Sequence, residues 1–385
     1  MPRTQHPGRS TARIVITALL GLLMTALLVG ACSSDPEGGV TPPPAAIPTC
    51  QGGGVLYDTG GTNGFGRQHV TDTNIPGFAP IDIAFIPGSP SAFVVASQGG
   101  YLHYFNDGCA PINSIDLSGI LPVGSSLGEE GLLNVEFHPD YATNHYVFFY
   151  HTSVASTVNS VTRMTVSFAG SGVLALSDAR RIIDFRRNGS ASNHNGGGLV
   201  FAPDKSLLAS VGDGGGNVGP NTAQDNRNLL GKVIRILPNL TVGGSGYTIP
   251  PGNMFPATNP PCTNVTQSAT ACPEILAMGL RNPFRMSIDG NIVFLGDVGS
   301  NYEEINSFDY TKNTLNFGWP THDGPVDSST ISGYRNLIVA YRRGIEAAAF
   351  RAEDPAATQT GSASVIIGEV YRGSNYAGVL DGALF

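Results

Sequence analysis

Charge is scarce in this 385-residue chain: Asp, Glu, Lys and Arg together make up 13% of it. That excludes long solvated helices, coiled coils and an intrinsically disordered chain, all of which need charge to stay in water. A cationic surface is also lacking. Lys and Arg number 21 against 29 acids, and no basic block follows the first residues. The electrostatic footprint that nucleic acid requires is therefore missing. Cysteines number five, and neither a CxxC nor an HExxH spacing occurs, which leaves a zinc-type site without its pattern. Turn formers, in contrast, are abundant, with 50 Gly and 27 Pro beside 41% hydrophobic residues. Many short strands joined by turns satisfy that composition.

The first segment is an address. Arg3, Arg9 and Arg13 precede an uncharged apolar run from Ile14 to Gly30, the layout of a secretory signal. The run ends in Leu28-Val29-Gly30-Ala31-Cys32, which resembles a bacterial lipobox. The expectation is a lipoprotein signal over 1–31, lipidation of Cys32, and a Pro/Ser/Gly-rich tether over 32–49. An ordinary signal or an uncleaved anchor are the alternatives. The remaining Cys50, Cys109, Cys262 and Cys272 are even in number in an exported chain. Two disulfides are expected, with three connectivities possible and local pairing favoured, Cys262 with Cys272 and Cys50 with Cys109.

From residue 50 to 385 one pattern recurs: a short apolar strand, a turn on Pro, Asp or Gly, then a second strand. It runs through Ile83-Ala84-Phe85-Ile86-Pro87, Val135-Glu136-Phe137-His138-Pro139-Asp140, Leu199-Val200-Phe201-Ala202-Pro203-Asp204 and, more loosely, Met286-Ser287-Ile288-Asp289-Gly290. Each copy reads as the inner hairpin of a β-propeller blade. A β-sandwich would give similar strands without a reason to repeat one signature. Only the stretch around Ile345–Ala352 has helix-forming composition.

Two motifs are decoys. Gly214-Gly215-Gly216-Asn217-Val218-Gly219 satisfies G-x-G-x-x-G, but Pro220 and a polar run stand where a phosphate-binding helix should begin. Gly124-Ser125-Ser126-Leu127-Gly128 satisfies G-x-S-x-G, yet a strand follows instead of a helix. Three other clusters carry chemistry. His194, flanked by amides and glycines in Ser192-Asn193-His194-Asn195-Gly196-Gly197-Gly198, is a loop imidazole suited to general base work. Arg281 and Asn282 offer a permanent cation and an amide beside Pro283. Gly296-Asp297-Val298-Gly299-Ser300-Asn301-Tyr302-Glu303-Glu304 collects the oxygen ligands of a hard cation, and Glu129-Glu130 could face the same centre.

In order along the chain, these segments resemble the soluble glucose/sorbosone dehydrogenase family, the aldose dehydrogenases that use pyrroloquinoline quinone (PQQ). The likeness runs through Glu130-Gly131-Leu132-Leu133, Asn193-His194-Asn195-Gly196-Gly197, Gly212-Asp213-Gly214-Gly215, Leu229-Leu230-Gly231-Lys232, Gly279-Leu280-Arg281-Asn282-Pro283, Asn316-Phe317-Gly318-Trp319-Pro320 and Val370-Tyr371-Arg372-Gly373. It implies an all-β, six-bladed β-propeller with PQQ in a cleft on one face and oxidation of an aldose at C1. On that likeness His194 is the catalytic base and Arg281 stabilises charge on the quinone. Glu129, Arg281, Asn282 and Arg372 contact PQQ, and Gly299, Ser300, Glu303 and Glu304 hold Ca2+. The sequence stops at Leu384-Phe385, where the likeness implies further strands, so the last blade is expected to be incomplete. Asn134 and Glu136 depart from the small residues the family commonly carries there. Some propellers similar to the family are binders, so a non-catalytic carbohydrate- or protein-binding module is the alternative. The expected partners are an aldose, an unidentified electron acceptor, and a periplasm-facing or outward-facing membrane surface reached through the lipid alone.

Overall fold

The computed structural model describes residues 75, 77–89, 91–106, 110–121, 128–152, 158–170, 172–187, 192–215, 222–262, 267–343, 364–370, 372 and 382–384. All lie in the compact unit Val70–Phe385. The expected sites at Cys32, Cys50 and Cys109, the tether, and the helix-forming stretch at 345–352 fall outside the described residues.

Each of the four hairpin repeats opens its own sheet. The first sheet runs β1 (Pro80–Phe85), β2 (Ala92–Ser97), β3 (Tyr101–Asn106) and β4 (Asn113–Asp116) in order. The second runs β5 (Leu132–Phe137), β6 (Tyr146–Thr152), β7 (Val158–Phe168) and β8 (Leu174–Arg186), with the one-turn helix α1 (Tyr141–Asn144) between β5 and β6. The third begins with β9 (Leu199–Phe201), β10 (Leu207–Val211) and β11 (Lys232–Pro238). It continues through β13 (Ile275–Met278) to β17 (Leu315–Asn316), and the short β12 (Tyr247–Thr248) pairs with β11. The fourth is β14 (Pro283–Asp289), β15 (Ile292–Asp297), β16 (Tyr302–Asp309) and β18 (Val339–Arg342). Neighbouring strands pair antiparallel except β13 with β17, which pair parallel, and among the described residues no βαβ unit surrounds the G-x-G-x-x-G match.

The strands read as continuous apolar runs because both of their faces are buried. Successive side chains point to opposite faces of a sheet. On β6, Phe148 and Tyr150 enter the core between the second and third sheets, while Val147 and Phe149 enter the core between the first and second. On β10, Leu207 and Ala209 face the second sheet and Leu208 faces the fourth. Three such inter-sheet cores join four sheets in series. Each fully buried Leu, Val or Phe in them contributes about 1.5–3 kcal/mol relative to exposure.

Polar contacts gather the first strands of the sheets around a common centre. The Val135 amide of β5 donates to Asp82 Oδ2 of β1 at 2.9 Å, and Arg285 Nη2 of β14 donates to the Ile81 carbonyl of β1 at 2.6 Å. Sheets one and four therefore meet across the centre. The result is an all-β propeller with four blades among the described residues. Three inner strands share a further feature, a register shift near their starts, between Pro80 and Asp82, Leu132 and Asn134, and Pro283 and Arg285. Such bulges bend a strand and re-aim the residues beside them. They recur at the end of the sheets where the chemically suited side chains lie.

Candidate functional site

Loops from three blades converge at that end. Glu129 precedes β5, His194 precedes β9, Asp213 follows β10, Arg281 and Asn282 precede β14, Asp297 ends β15, and Trp319 follows β17. His194 has a left-handed backbone, with φ of 54°. Its carbonyl receives the Gly214 amide at 3.2 Å. The turn Gly212-Asp213-Gly214-Gly215 lies so close that a Cβ on Gly212 would collide with the His194 carbonyl. Glycine at that position is what lets Asp213 reach the imidazole.

His194 Nδ1 lies 2.7 Å from Asp213 Oδ1. An ionised carboxylate only accepts, so the neutral imidazole carries its proton on Nδ1 and presents the Nε2 lone pair. Nε2 has no hydrogen-bond partner among the described residues. Asp213 Oδ2 accepts from Trp319 Nε1 at 2.9 Å, and Oδ1 also accepts from the Gly215 amide at 2.9 Å. Burial alone would push the Asp213 carboxyl up, but His194, the Gly215 amide and Trp319 outweigh it and hold it below the usual carboxylate range. A base with a fixed tautomer and an ionised orienting partner results.

Arg281 stands beside this pair. Its backbone carbonyl accepts the Asp213 amide at 2.7 Å, its Nη1 donates to the Val298 carbonyl at 2.7 Å, and its guanidinium sits 5.5 Å from the Trp319 ring centre. Asp297 fixes the turn from below. Its carboxylate takes the Arg281 amide at 3.0 Å and the Asn282 amide at 2.7 Å, and burial still pushes its pKa up to about 6.

Glu129 and Asn282 are at the site, but as a clamp on its backbone. Asn282 is buried, its Nδ2 donates to Glu129 Oε2 at 2.9 Å and its Oδ1 accepts the Gly196 amide at 3.1 Å. Glu129 Oε2 also accepts the His194 amide at 2.7 Å. Arg372 is elsewhere. It pairs with Asp289, which ends the strand that Pro283 begins, so it lies about 20 Å from Asn282 along β14. The structure does not bring it to His194 and Arg281.

The segment expected to hold calcium does not fit that ion. Glu303 and Glu304 are adjacent on β16 and so face opposite sides of the sheet. Glu303 lies 2.9 Å from Arg343 and accepts the Val365 amide, whereas Glu304 accepts the Gly324 amide. Burial pushes Glu303 to about 7 and Glu304 to about 8. The Gly299 carbonyl takes Arg343 Nη1 at 3.0 Å. A guanidinium is thus already matched to two of the expected ligands. The Ser300 amide, with those of Asn301 and Tyr302, points at the Asp323 carboxylate. Among the described residues, the one group of three potential metal ligands is Cys262, Cys272 and Glu274, and there the two cysteines are joined in a disulfide.

With the fold and site in place, the Glucose / Sorbosone dehydrogenase family profile matches residues 78–348. The chain belongs to this family. Quinoprotein glucose dehydrogenase B of Acinetobacter calcoaceticus is 27% identical over 245 residues, covering 58% of this chain and 46% of that protein. Human Hedgehog-interacting protein is also 27% identical, over 186 residues, covering 46% of this chain and 25% of that one. Among solved structures, the PQQ-bound aldose sugar dehydrogenase of Streptomyces coelicolor superposes with a TM-score of 0.52 at 26% identity, covering 69% of this chain and 68% of that one. The chain spans between 25% and 46% of the length of these curated relatives.

In this glucose/sorbosone dehydrogenase family member the sequence assigns no role to Asp213 or Trp319, and places Asp297 only within a cation-binding segment, whereas the structure sets it under the Arg281-Asn282 turn. Asp213 lies in the motif Gly212-Asp213-Gly214-Gly215, where a lone carboxylate among glycines after a strand is the available signal. Trp319 lies in another, with no local feature to say that its indole would meet a carboxylate 106 residues away.

Proposed function

We propose that this protein oxidises an aldose at C1 with PQQ as the electron acceptor. The observation that carries the reading is the geometry of His194, whose Nδ1 is tied to Asp213 while Nε2 has no hydrogen-bond partner among the described residues, with the Arg281 guanidinium 5.5 Å from the Trp319 ring that holds the same Asp213. The donor set suits the reacting end of PQQ. An ortho-quinone gains negative charge on its oxygens during reduction, and Arg281 is a permanent cation at that place. When bound, PQQ supplies a two-electron acceptor that takes hydride from the sugar.

The chain's own residues do the rest. His194 Nε2 removes the C1 hydroxyl proton as the C1–H bond breaks, which turns the aldose into a lactone. Asp213 keeps the imidazole in the required tautomer and stabilises the imidazolium that forms. Asp297, Glu129 and Asn282 hold the backbone from which Arg281 and His194 project. No step is assigned to calcium. Six blades belong to the same proposal. Ile83 and Phe85 are exposed on the outward face of the first sheet and Ile292 on that of the fourth, surfaces on which further blades would pack. So does anchoring to a periplasm-facing or outward-facing membrane through lipid on Cys32.

The second reading, a non-catalytic binding propeller, draws on the likeness to Hedgehog-interacting protein. Two measurements separate them: a spectroscopic PQQ titration with and without calcium, and dye reduction across several aldoses. His194→Ala should lower turnover by about 10²- to 10⁴-fold while PQQ binding is retained. A protein that binds no PQQ under either condition is better described as a binding module.

A further inference from the structure

Trp319 is the single tryptophan of the chain, and it is held from several sides. Its backbone amide donates to the Gly279 carbonyl at 2.9 Å, and its carbonyl accepts Gln224 Nε2 at 2.7 Å. The Gln224 and Asn316 amides in turn exchange hydrogen bonds at 3.0 and 2.8 Å. With its backbone fixed, the indole reaches two members of the site at once. Nε1 donates to Asp213 Oδ2 at 2.9 Å, and the ring face lies 5.5 Å from the Arg281 guanidinium.

We propose that Trp319 is a positioning residue: its indole N–H holds one oxygen of Asp213 so that the other stays on His194 Nδ1, and its ring carries Arg281 beside them. The inference rests on reading His194 as the base. A carboxylate held at one oxygen only can rotate about its terminal torsion, which is broad. Oδ1 is held by His194 and the Gly215 amide, and the Trp319 bond to Oδ2 removes the remaining freedom and draws off part of the negative charge that would otherwise favour imidazolium. The charged groups around His194 are Asp213 at its ring, Glu129 at its amide, and Arg281 and Asp297, which reach it through Asp213.

The test uses two variants, Trp319→Phe and replacement of Trp319 by benzothienylalanine, which keeps the shape of the indole but lacks its N–H. His194 is titrated by NMR in the PQQ-free protein, and kcat and KM are measured by dye reduction. In both variants the His194 midpoint should rise by about half a unit or more, since Asp213 loses a neutral donor. The kcat should fall about tenfold while KM changes less than about threefold, the pattern of a misplaced base. Benzothienylalanine should keep the melting temperature, which separates positioning from folding. A His194 midpoint within about 0.2 unit of the parent in the benzothienylalanine protein overturns the proposal. Because the titration needs no PQQ, a shifted midpoint in a protein that binds no PQQ supports the positioning role and overturns only the dehydrogenase reading.

Discussion

Glu129 Oε2 accepts both the His194 backbone amide, at 2.7 Å, and Asn282 Nδ2, at 2.9 Å, so one carboxylate oxygen ties the base-bearing loop of the third blade to the turn that opens the fourth. The tie spans 153 residues between Glu129 and Asn282. Because Asn282 also takes the Gly196 amide, the loop is gripped on either side of His194.

Glu129→Ala should therefore release the loop and leave an amide and a carboxamide without acceptors. Stability should fall by about 1.5–3 kcal/mol, the worth of hydrogen bonds to a charged group. Turnover should fall with it by about tenfold or more, as the base loses its place. Thermal melting and dye reduction measure the two effects, and an unchanged turnover with a lowered melting temperature would show that the clamp serves the fold alone.

Lys232 is fully buried and donates to the carbonyls of Thr222, Ala223 and Leu230 at 2.9, 2.9 and 2.6 Å. Burial pushes its pKa down to about 7 from the ordinary 10.5. Between those values the unfolded chain binds more protons than the folded one, so this group makes stability rise with pH across that window and adds no slope below it. Lys232→Met should remove the rise and, by orphaning three carbonyls, cost about 3–5 kcal/mol at pH 7. Urea unfolding at several pH values checks both. A variant as stable as the parent at pH 7 would contradict the carbonyl argument.

Cys262 and Cys272 are disulfide-bonded 10 residues apart. Closing so short a loop should contribute about 2–4 kcal/mol. Replacing both by Ser should lower the melting temperature by several degrees. Peptide mapping without reductant that joins either cysteine to Cys50 or Cys109 would refute the local pairing.

Cys32 should carry a diacylglyceryl group and become the first residue of the mature chain. Mass spectrometry of protein from the membrane fraction tests this. An unmodified Cys32, or a mature N-terminus elsewhere, would count against anchoring.

The sequence alone determined the repetition: each apolar hairpin ending in Pro-Asp, Pro-Gly or Asp-Gly opens one sheet, because strand and turn chemistry are local. Runs apolar at successive positions, such as Val147 to Tyr150, are equally local, and in the structure they meet a neighbouring sheet on either side. His194 and Arg281 could be picked out because their residue types and neighbouring glycines or prolines are local too. What only the tertiary structure decided is which side chains meet across blades. Asp213 and Trp319 join His194, Asn282 and Glu129 become a clamp, Arg343 meets two of the acceptors expected for calcium, Glu303 and the Gly299 carbonyl, and Arg372 sits at the far end of β14. These contacts link residues on different strands and blades, many of them distant in sequence. They are set by strand register, by the bulges that re-aim three of the inner strands, and by the way the sheets converge on one centre, none of which leaves a mark in the spacing of nearby residues.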